Sequence, residues 1–348
     1  MTSPTSKELI NASMAFITYT GESLAVGANT VFEIGKAIDG LLPTYPNLNN
    51  DWQVVWGPAL HSSNEIITKK QANLTFVAQS MSSPSSYIVA TRGTVGNNIW
   101  EWLSENLDAD FLTWPTPGSL PLTPYASKAT ADALRIVLKT LPPATTPDGF
   151  SPLPGAGQTL ADFLTRLTED GPIEICFTGH SLGGAIAPGL ALWFKQAQGK
   201  AQIPENTILY PMPAWDVNSV ATISCVSLAG ATPGDTAFSH YFGEQLGANY
   251  DRIFNTNDVV PHGFAELKQV PSLYAPAIPM EEFEKISLDV IEDNVVLAER
   301  KINSKFDVLP NSNPFTCPVD KAHSSFASQA LYQHIAAYQQ QFGLPDAF

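Results

Sequence analysis

Short apolar runs alternate along the chain with longer segments in which apolar residues recur every three or four positions. Residues 73–80 and 222–228 are rich in β-branched and aromatic side chains, which is typical of buried strands. Residues 8–20 and 126–141 have the spacing of amphipathic helices. This alternation predicts an α/β fold with a mostly parallel central sheet and helices on both faces. Further strands are predicted at 51–56, 87–91, 173–178 and 250–255, and further helices at 28–41, 95–107, 159–167, 185–194, 280–302 and 325–342.

The turn at residues 179–184 reads G-H-S-L-G-G between the strand 173–178 and the helix 185–194. G-x-S-x-G at such a turn is the nucleophile elbow of α/β-hydrolases, because the small residues let strand and helix approach closely. We therefore predict Ser181 as a nucleophile that lies beside the positive end of the following helix. The alternative is a plain small-residue turn. The side chain of His180 is expected to point away from the serine.

A serine nucleophile needs a base to take its proton and a carboxylate to orient that base. In α/β-hydrolases these groups follow the serine in the order acid, then histidine. Asp258 comes directly after the predicted strand 250–255 and is the predicted acid. Its rivals are Asp235, in a loop beside a glycine, and Asp251, inside the strand.

Four histidines follow the serine in the chain. We predict His323 as the base, because it lies in a loop before the last helix and can reach across to serine and acid. His334 is the next candidate, although its periodic surroundings at 330–338 are typical of an ordinary helix residue. His262 is too near the acid in sequence to be favoured, and His240 has no motif around it.

The tetrahedral intermediate of acyl transfer needs hydrogen-bond donors aimed at its oxyanion. The backbone N–H of Leu182, the residue after the nucleophile, is one expected donor. The second is expected from the loop that follows the strand 87–91, where Thr94 can offer both its N–H and its hydroxyl.

These motifs, taken in chain order, resemble the class 3 (fungal-type) lipase family. The resemblance lies in T-R-G-T at 91–94 with two tryptophans after it, the elbow, and N-T-N-D-V-V-P at 255–261. It implies a serine carboxylic ester hydrolase, foremost a lipase of acylglycerol esters, with Ser181 as nucleophile, Asp258 as acid, and Thr94 with Leu182 as the oxyanion hole. A soluble-ester, aryl-ester or phospholipase A1-type esterase is the alternative, and a non-catalytic hydrolase-fold binding protein is a third.

The resemblance also implies a mobile lid helix directly after the oxyanion loop. The amphipathic pattern of residues 95–107 agrees with this, although an ordinary packed helix would show the same pattern. The family's His-x-Gly ahead of the helix that leads to the serine is absent here, and its later Phe-Gly-x-Pro-Arg block is reduced to A-G-A-T-P-G-D at 229–235. The expected lid or substrate-binding residues are Val95, Ile99, Trp100, Trp102 and Leu103.

Charge narrows the range of partners. The formal net charge is −15 with only 18 Lys and Arg, and charged residues make up 15% of the chain, against about 25% in typical soluble proteins. This balance argues against nucleic acid and against strongly anionic membranes, and it favours a neutral ester substrate or a neutral lipid–water interface. The expected chemistry requires no cofactor and no metal, and no metal-ligand spacing is present.

Length and segment composition predict one α/β-hydrolase domain over residues 1–348. No apolar run reaches the ~18 residues of a membrane span, and the first residues lack the apolar stretch of a signal peptide, so a soluble protein is expected, with its compartment left open. The three cysteines are too few for a disulfide framework. Loops longer than a minimal family member needs are expected at about 111–124, 142–157, 200–220 and 280–306.

Overall fold

The computed structural model describes residues 3–64, 69–92, 109–199 and 215–346. The strands in the middle of its main sheet are mostly buried, as the apolar runs predict. The strands are β1 (Trp52–Asn64), β2 (Lys69–Ser80), β3 (Ser86–Arg92), β4 (Phe111–Thr113), β5 (Tyr125–Ser127), β6 (Ile173–His180), β7 (Ala221–Leu228), β8 (Tyr250–Asn255) and β9 (Ser312–Phe315).

The main sheet has seven strands in the order β1-β2-β3-β6-β7-β8-β9. The five strands from β3 to β9 run parallel, and β2 and β1 extend the sheet in antiparallel fashion. Strands β4 and β5 form a separate antiparallel pair. The carboxyl ends of β3, β6, β7 and β8 therefore meet at one edge of the sheet, where ligand sites of parallel sheets lie.

Helices cover both faces of this sheet. None of the helices in the described ranges is long and apolar enough to cross a membrane. They are α1 (Ser6–Ile17), α2 (Thr30–Leu41), α3 (Lys128–Lys139), α4 (Leu160–Glu169), α5 (Leu182–Gln196), α6 (Thr236–Leu246), α7 (Glu282–Ile302), α8 (Phe326–His334) and α9 (Ala336–Phe342).

Side-chain alternation along the strands divides the core in two. Ile175 and Phe177 of β6 belong to the cluster built around α5, whereas Cys176 between them packs against the cluster that contains α1. Because successive strand residues point to opposite faces, a buried strand needs apolar residues at nearly every position. This is why β6 could be recognised from its composition alone.

Four parts of the chain differ from the sequence predictions. Residues 325–342 form two helices rather than one, because the backbone breaks at Ile335 (φ −117°, ψ −71°). The predicted loop at 111–124 begins with β4, which pairs with β5. By contrast, the surface helix predicted at 280–302 is present as the single helix α7. Helix α6 and strand β9 were not predicted.

Candidate active site

The elbow after β6 is held by contacts that only glycine permits. A Cβ on Gly183 would lie 2.2 Å from the carbonyl oxygen of Thr91, and one on Gly184 would lie 2.2 Å from that of Leu228. Between strand and helix, Ser181 takes the strained conformation φ 62°, ψ −128°. Its N–H donates to the Leu228 carbonyl oxygen at 3.1 Å. The strand, strained turn and helix predicted from the sequence are all present.

Three polar side chains meet at this elbow. Nε2 of His334 lies 2.8 Å from Oγ of Ser181, and Nδ1 lies 2.8 Å from Oδ2 of Asp258. The histidine side chain is 6% exposed and the aspartate 0%. An ionised carboxylate only accepts hydrogen bonds, so Nδ1 carries the proton and Nε2 is free to accept from the serine hydroxyl. In this arrangement an imidazole can take the proton of an attacking serine.

Asp258 is held by more than the histidine. The N–H of Val260 donates to Oδ1 at 3.0 Å, and the hydroxyl of Tyr338 donates to Oδ2 at 2.9 Å. Burial above all, together with the nearby carboxylate, keeps the pKa of Tyr338 well above its ordinary value, so the hydroxyl stays a donor. Sequence reasoning missed Tyr338, although it lies only four residues after His334.

His323 does not lie at the elbow, and its prediction as the base is wrong. Its Nε2 is 3.8 Å from Oδ2 of Asp320, its ring stacks on Tyr332 with 4.7 Å between centroids, and its side chain is 38% exposed. His334 takes its place because the break after it makes it the last residue of α8 rather than a mid-helix residue. The side chain of Asn255, at the end of β8, donates to the Gln333 carbonyl at 3.0 Å and fixes that helix end at the carboxyl edge of the sheet.

The other candidates have structural partners elsewhere. Asp235 caps α6 by accepting from the N–H of Phe238 at 2.9 Å. Asp251 pairs with Lys7 at 3.3 Å near the surface. His262 is buried with its Nδ1 3.3 Å from Glu266. The remaining one, His240, lies at the surface beside Glu244.

Of the two predicted oxyanion donors, one can be located. Leu182 is the first residue of α5, and the N–H groups of a first helical turn have no acceptor within the helix. The N–H of Leu182, directly after Ser181, therefore has no acceptor within α5. The remaining predicted residues, Thr94, Val95, Ile99, Trp100, Trp102 and Leu103, lie outside the described residues.

The described residues thus supply a hydroxyl, an imidazole and a carboxylate in hydrogen-bonded sequence. These groups can carry out nucleophilic attack with general acid–base assistance. In the same parts of the chain, no group of three or more His, Cys, Asp or Glu side chains is placed to hold a metal ion. The thiols of Cys176, Cys225 and Cys317 are unbridged.

A parallel sheet with a nucleophile elbow at its carboxyl edge defines the α/β-hydrolase class. Within that class, the family Lipase (class 3) matches residues 88–268, just over half of the chain, and the protein belongs to that family. It is accordingly a lipase-type hydrolase.

Among the solved structures that resemble the chain, M37 lipase shows the same fold. M37 lipase superposes with a TM-score of 0.79 and 24% identity, covering 98% of this chain and 94% of that one. MDLA from Penicillium cyclopium, in a mutant form, gives a TM-score of 0.40 at 17% identity, covering 74% of this chain and 72% of that one. Lipase II from Rhizopus niveus gives a TM-score of 0.42 at 15% identity, covering 75% of this chain and 76% of that one. No curated protein sequence matches the chain.

Proposed function

We propose that the protein hydrolyses carboxylic esters through Ser181, His334 and Asp258. The observation that supports this is the imidazole of His334, which lies 2.8 Å from both the serine hydroxyl and the carboxylate. The serine oxygen attacks the ester carbonyl while Nε2 takes its proton, and the carboxylate orients and stabilises the resulting imidazolium. The imidazolium then protonates the leaving alcohol, and water releases the acyl group by the same route.

The oxyanion of the intermediate is assigned to two donors. The first is the N–H of Leu182, because it is unpaired within α5 and adjoins the nucleophile. The second is Thr94, which rests on the family resemblance. Each donor of this kind contributes about 10²–10³ to kcat in serine hydrolases.

Labelling with a fluorophosphonate tests the serine chemistry. The reagent reacts with an activated serine hydroxyl, so we expect one label per folded chain, on the peptide that contains Ser181. Heat-denatured protein and Ser181→Ala are expected to remain unlabelled, and peptide mass spectrometry checks the site. A folded wild-type protein that stays unlabelled would support the non-catalytic binding protein instead.

A stripe of exposed apolar residues on α7 favours a lipid–water interface over a soluble ester. The residues repeat at intervals of three, four and seven, which places them on one face of the helix. The opposite face, with Leu288 and Val295, is buried. Exposed large apolar side chains gathered on one helix face are typical of surfaces that meet a membrane or lipid. The apolar stripe consists of Phe283, Ile286, Val290 and Leu297, which are 71, 55, 56 and 55% exposed.

Helix α7 is connected to the segment that follows the proposed acid. Glu292 of α7 pairs with Lys268 at 3.7 Å. Phe306, which follows the end of α7, stacks on Phe264 with ring centroids 4.6 Å apart. Both partners follow Asp258 at the carboxyl edge of the sheet. The chain's formal net charge of −15 disfavours an anionic surface. We therefore assign the stripe to an uncharged interface such as an acylglycerol droplet.

Replacing two stripe residues should separate the two substrate classes. We expect Ile286→Ser/Val290→Ser to lower the rate on a triacylglycerol emulsion about five- to tenfold, because apolar area that enters the interface is lost. The rate on a short, fully dissolved nitrophenyl ester should stay unchanged. Met81→Ser/Val217→Ser removes two exposed apolar side chains outside α7 and serves as the control. Equal emulsion rates in all three proteins would favour the soluble esterase.

A further inference from the structure

A second buried imidazole supports the main chain of the proposed base. Nε2 of His180 lies 2.8 Å from the carbonyl oxygen of His334, and the two rings contact each other at a tilt of 36° with centroids 4.7 Å apart. His180 is 2% exposed. A carbonyl oxygen can only accept, so Nε2 must carry the proton and donate it. His180, the residue before Ser181, therefore holds the backbone of His334, whose ring contacts Ser181.

The break between α8 and α9 makes this contact possible. In a continuous helix the His334 carbonyl would accept from the N–H of Tyr338, four residues on. That N–H donates instead to the carbonyl of Ile335 at 3.1 Å. The His334 carbonyl is thereby left for His180. In an unbroken helix this carbonyl would be hydrogen-bonded within the helix and would not need the His180 side chain as a donor.

Tyr19 completes the arrangement from the end of the α1 segment. Its hydroxyl oxygen lies 3.1 Å from Nδ1 of His180 and 3.2 Å from the His180 carbonyl oxygen. Burial, with His334 as a second cause, holds the pKa of His180 well below its ordinary value. The ring is therefore neutral, its Nδ1 carries no proton, and it accepts from the tyrosine hydroxyl. Burial likewise raises the pKa of Tyr19, so that the hydroxyl keeps its proton.

We propose that Tyr19 and His180 act as a positioning pair, in which Tyr19 fixes the orientation of the His180 ring through its hydrogen bond to Nδ1, and His180 holds the main chain of His334 at Ser181. Neither residue is assigned a proton transfer. A neutral ring at this place also leaves the charge that His334 takes up during the reaction unopposed. The inference rests on the proposed function, because it concerns the placement of the proposed base.

Two substitutions of His180, one that removes its hydrogen-bond donor and one that keeps a donor, test the positioning pair. Phenylalanine keeps the ring but loses the donor, and misplacing a base by about 1 Å costs up to 10²-fold. We expect His180→Phe to lower kcat ten- to a hundredfold with KM unchanged, and His180→Gln, whose amide can donate to the same carbonyl, to recover kcat to within threefold of wild type. Rates are divided by active sites titrated to completion with the fluorophosphonate, so that unfolded protein does not count.

Tyr19 gives an independent variant if His180→Phe fails to fold. We expect Tyr19→Phe to lower kcat per titrated site three- to tenfold, and Tyr19→Phe/His180→Phe to be no slower than His180→Phe alone, because the tyrosine acts through the histidine. Tyr45→Phe is the control, since that buried hydroxyl has no hydrogen-bond partner in the described parts of the chain.

Two results would overturn the positioning pair. One is a kcat per titrated site within twofold of wild type for both His180→Phe and Tyr19→Phe. The other is a double variant whose loss is the product of the single losses. An active Ser181→Ala protein would instead remove the proposed function itself, so the two failures are distinguishable.

Discussion

His334→Ala is expected to lower kcat on a dissolved nitrophenyl ester by about six orders of magnitude, since loss of the histidine of a serine triad costs about as much as loss of all three members. Without the imidazole, the proton of Ser181 has no acceptor, and the buried carboxylate of Asp258 loses a donor at 2.8 Å. KM should change little, because the imidazole acts on the attacking hydroxyl rather than on the bound ester.

His323→Ala is the matched control for this experiment. The exposed ring of His323 stacks on Tyr332 and contacts Asp320, so its loss should leave kcat within twofold of wild type. Circular dichroism and the thermal midpoint should be compared for all three proteins, because His334 is buried. An inactive His323→Ala beside an active His334→Ala would restore the loop histidine as the base.

The elbow that carries Ser181, the proposed nucleophile, could be predicted because its determinants are local. The apolar strand, the glycines and the apolar helix fall within about 25 residues, and each has a direct steric reason. Gly183 and Gly184 are required by backbone carbonyls that lie too close for any Cβ. The position of Asp258 could also be predicted, since a carboxylate placed just after a strand must lie at the carboxyl edge of a parallel sheet.

The proposed base, His334, was only the second candidate from the sequence, because the feature that places it at Ser181 is not local. Ile335 is neither proline nor glycine, and the periodic pattern continues through it, so the sequence favours an unbroken helix. Side chains from other elements replace the hydrogen bonds that the break removes. His180 donates to the carbonyl oxygen of His334, and Asn255 donates to that of Gln333. Tyr19 and His180 are 161 positions apart, and no periodicity links them.

The unpredicted elements have a similar explanation. Strand β9 exposes three of its four residues at the edge of the sheet and contains a proline, so it lacks the alternation by which half-buried strands are recognised. Its place is set by pairing with β8. The sequence predicted α7 as a charged helix but did not predict its exposed apolar stripe. Periodicity alone does not say which of two apolar helix faces is buried in the protein.

Asp258→Asn is expected to lower kcat by about 10⁴, as the corresponding change does in serine proteases. The carboxylate accepts from the N–H of Val260, from Nδ1–H of His334 and from the hydroxyl of Tyr338. An amide has a single acceptor oxygen and directs two N–H donors at the remaining groups. The imidazole of His334 then favours the tautomer with the proton on Nε2, which faces Ser181 and can no longer accept from it.

The matched control is Asp251→Asn, which changes a carboxylate on β8, the strand that precedes Asp258, and this carboxylate pairs only with Lys7 among the contacts described for it. An exposed pair of this kind contributes about 0–1 kcal/mol, so its loss should leave both kcat and the thermal midpoint nearly unchanged. Activity of Asp258→Asn within tenfold of wild type, measured per titrated site, would show that another carboxylate orients the base. Because the tautomer of His334 depends on a full negative charge at this one buried position, Asp258→Glu, with its carboxylate displaced by one methylene, should fall between wild type and the amide.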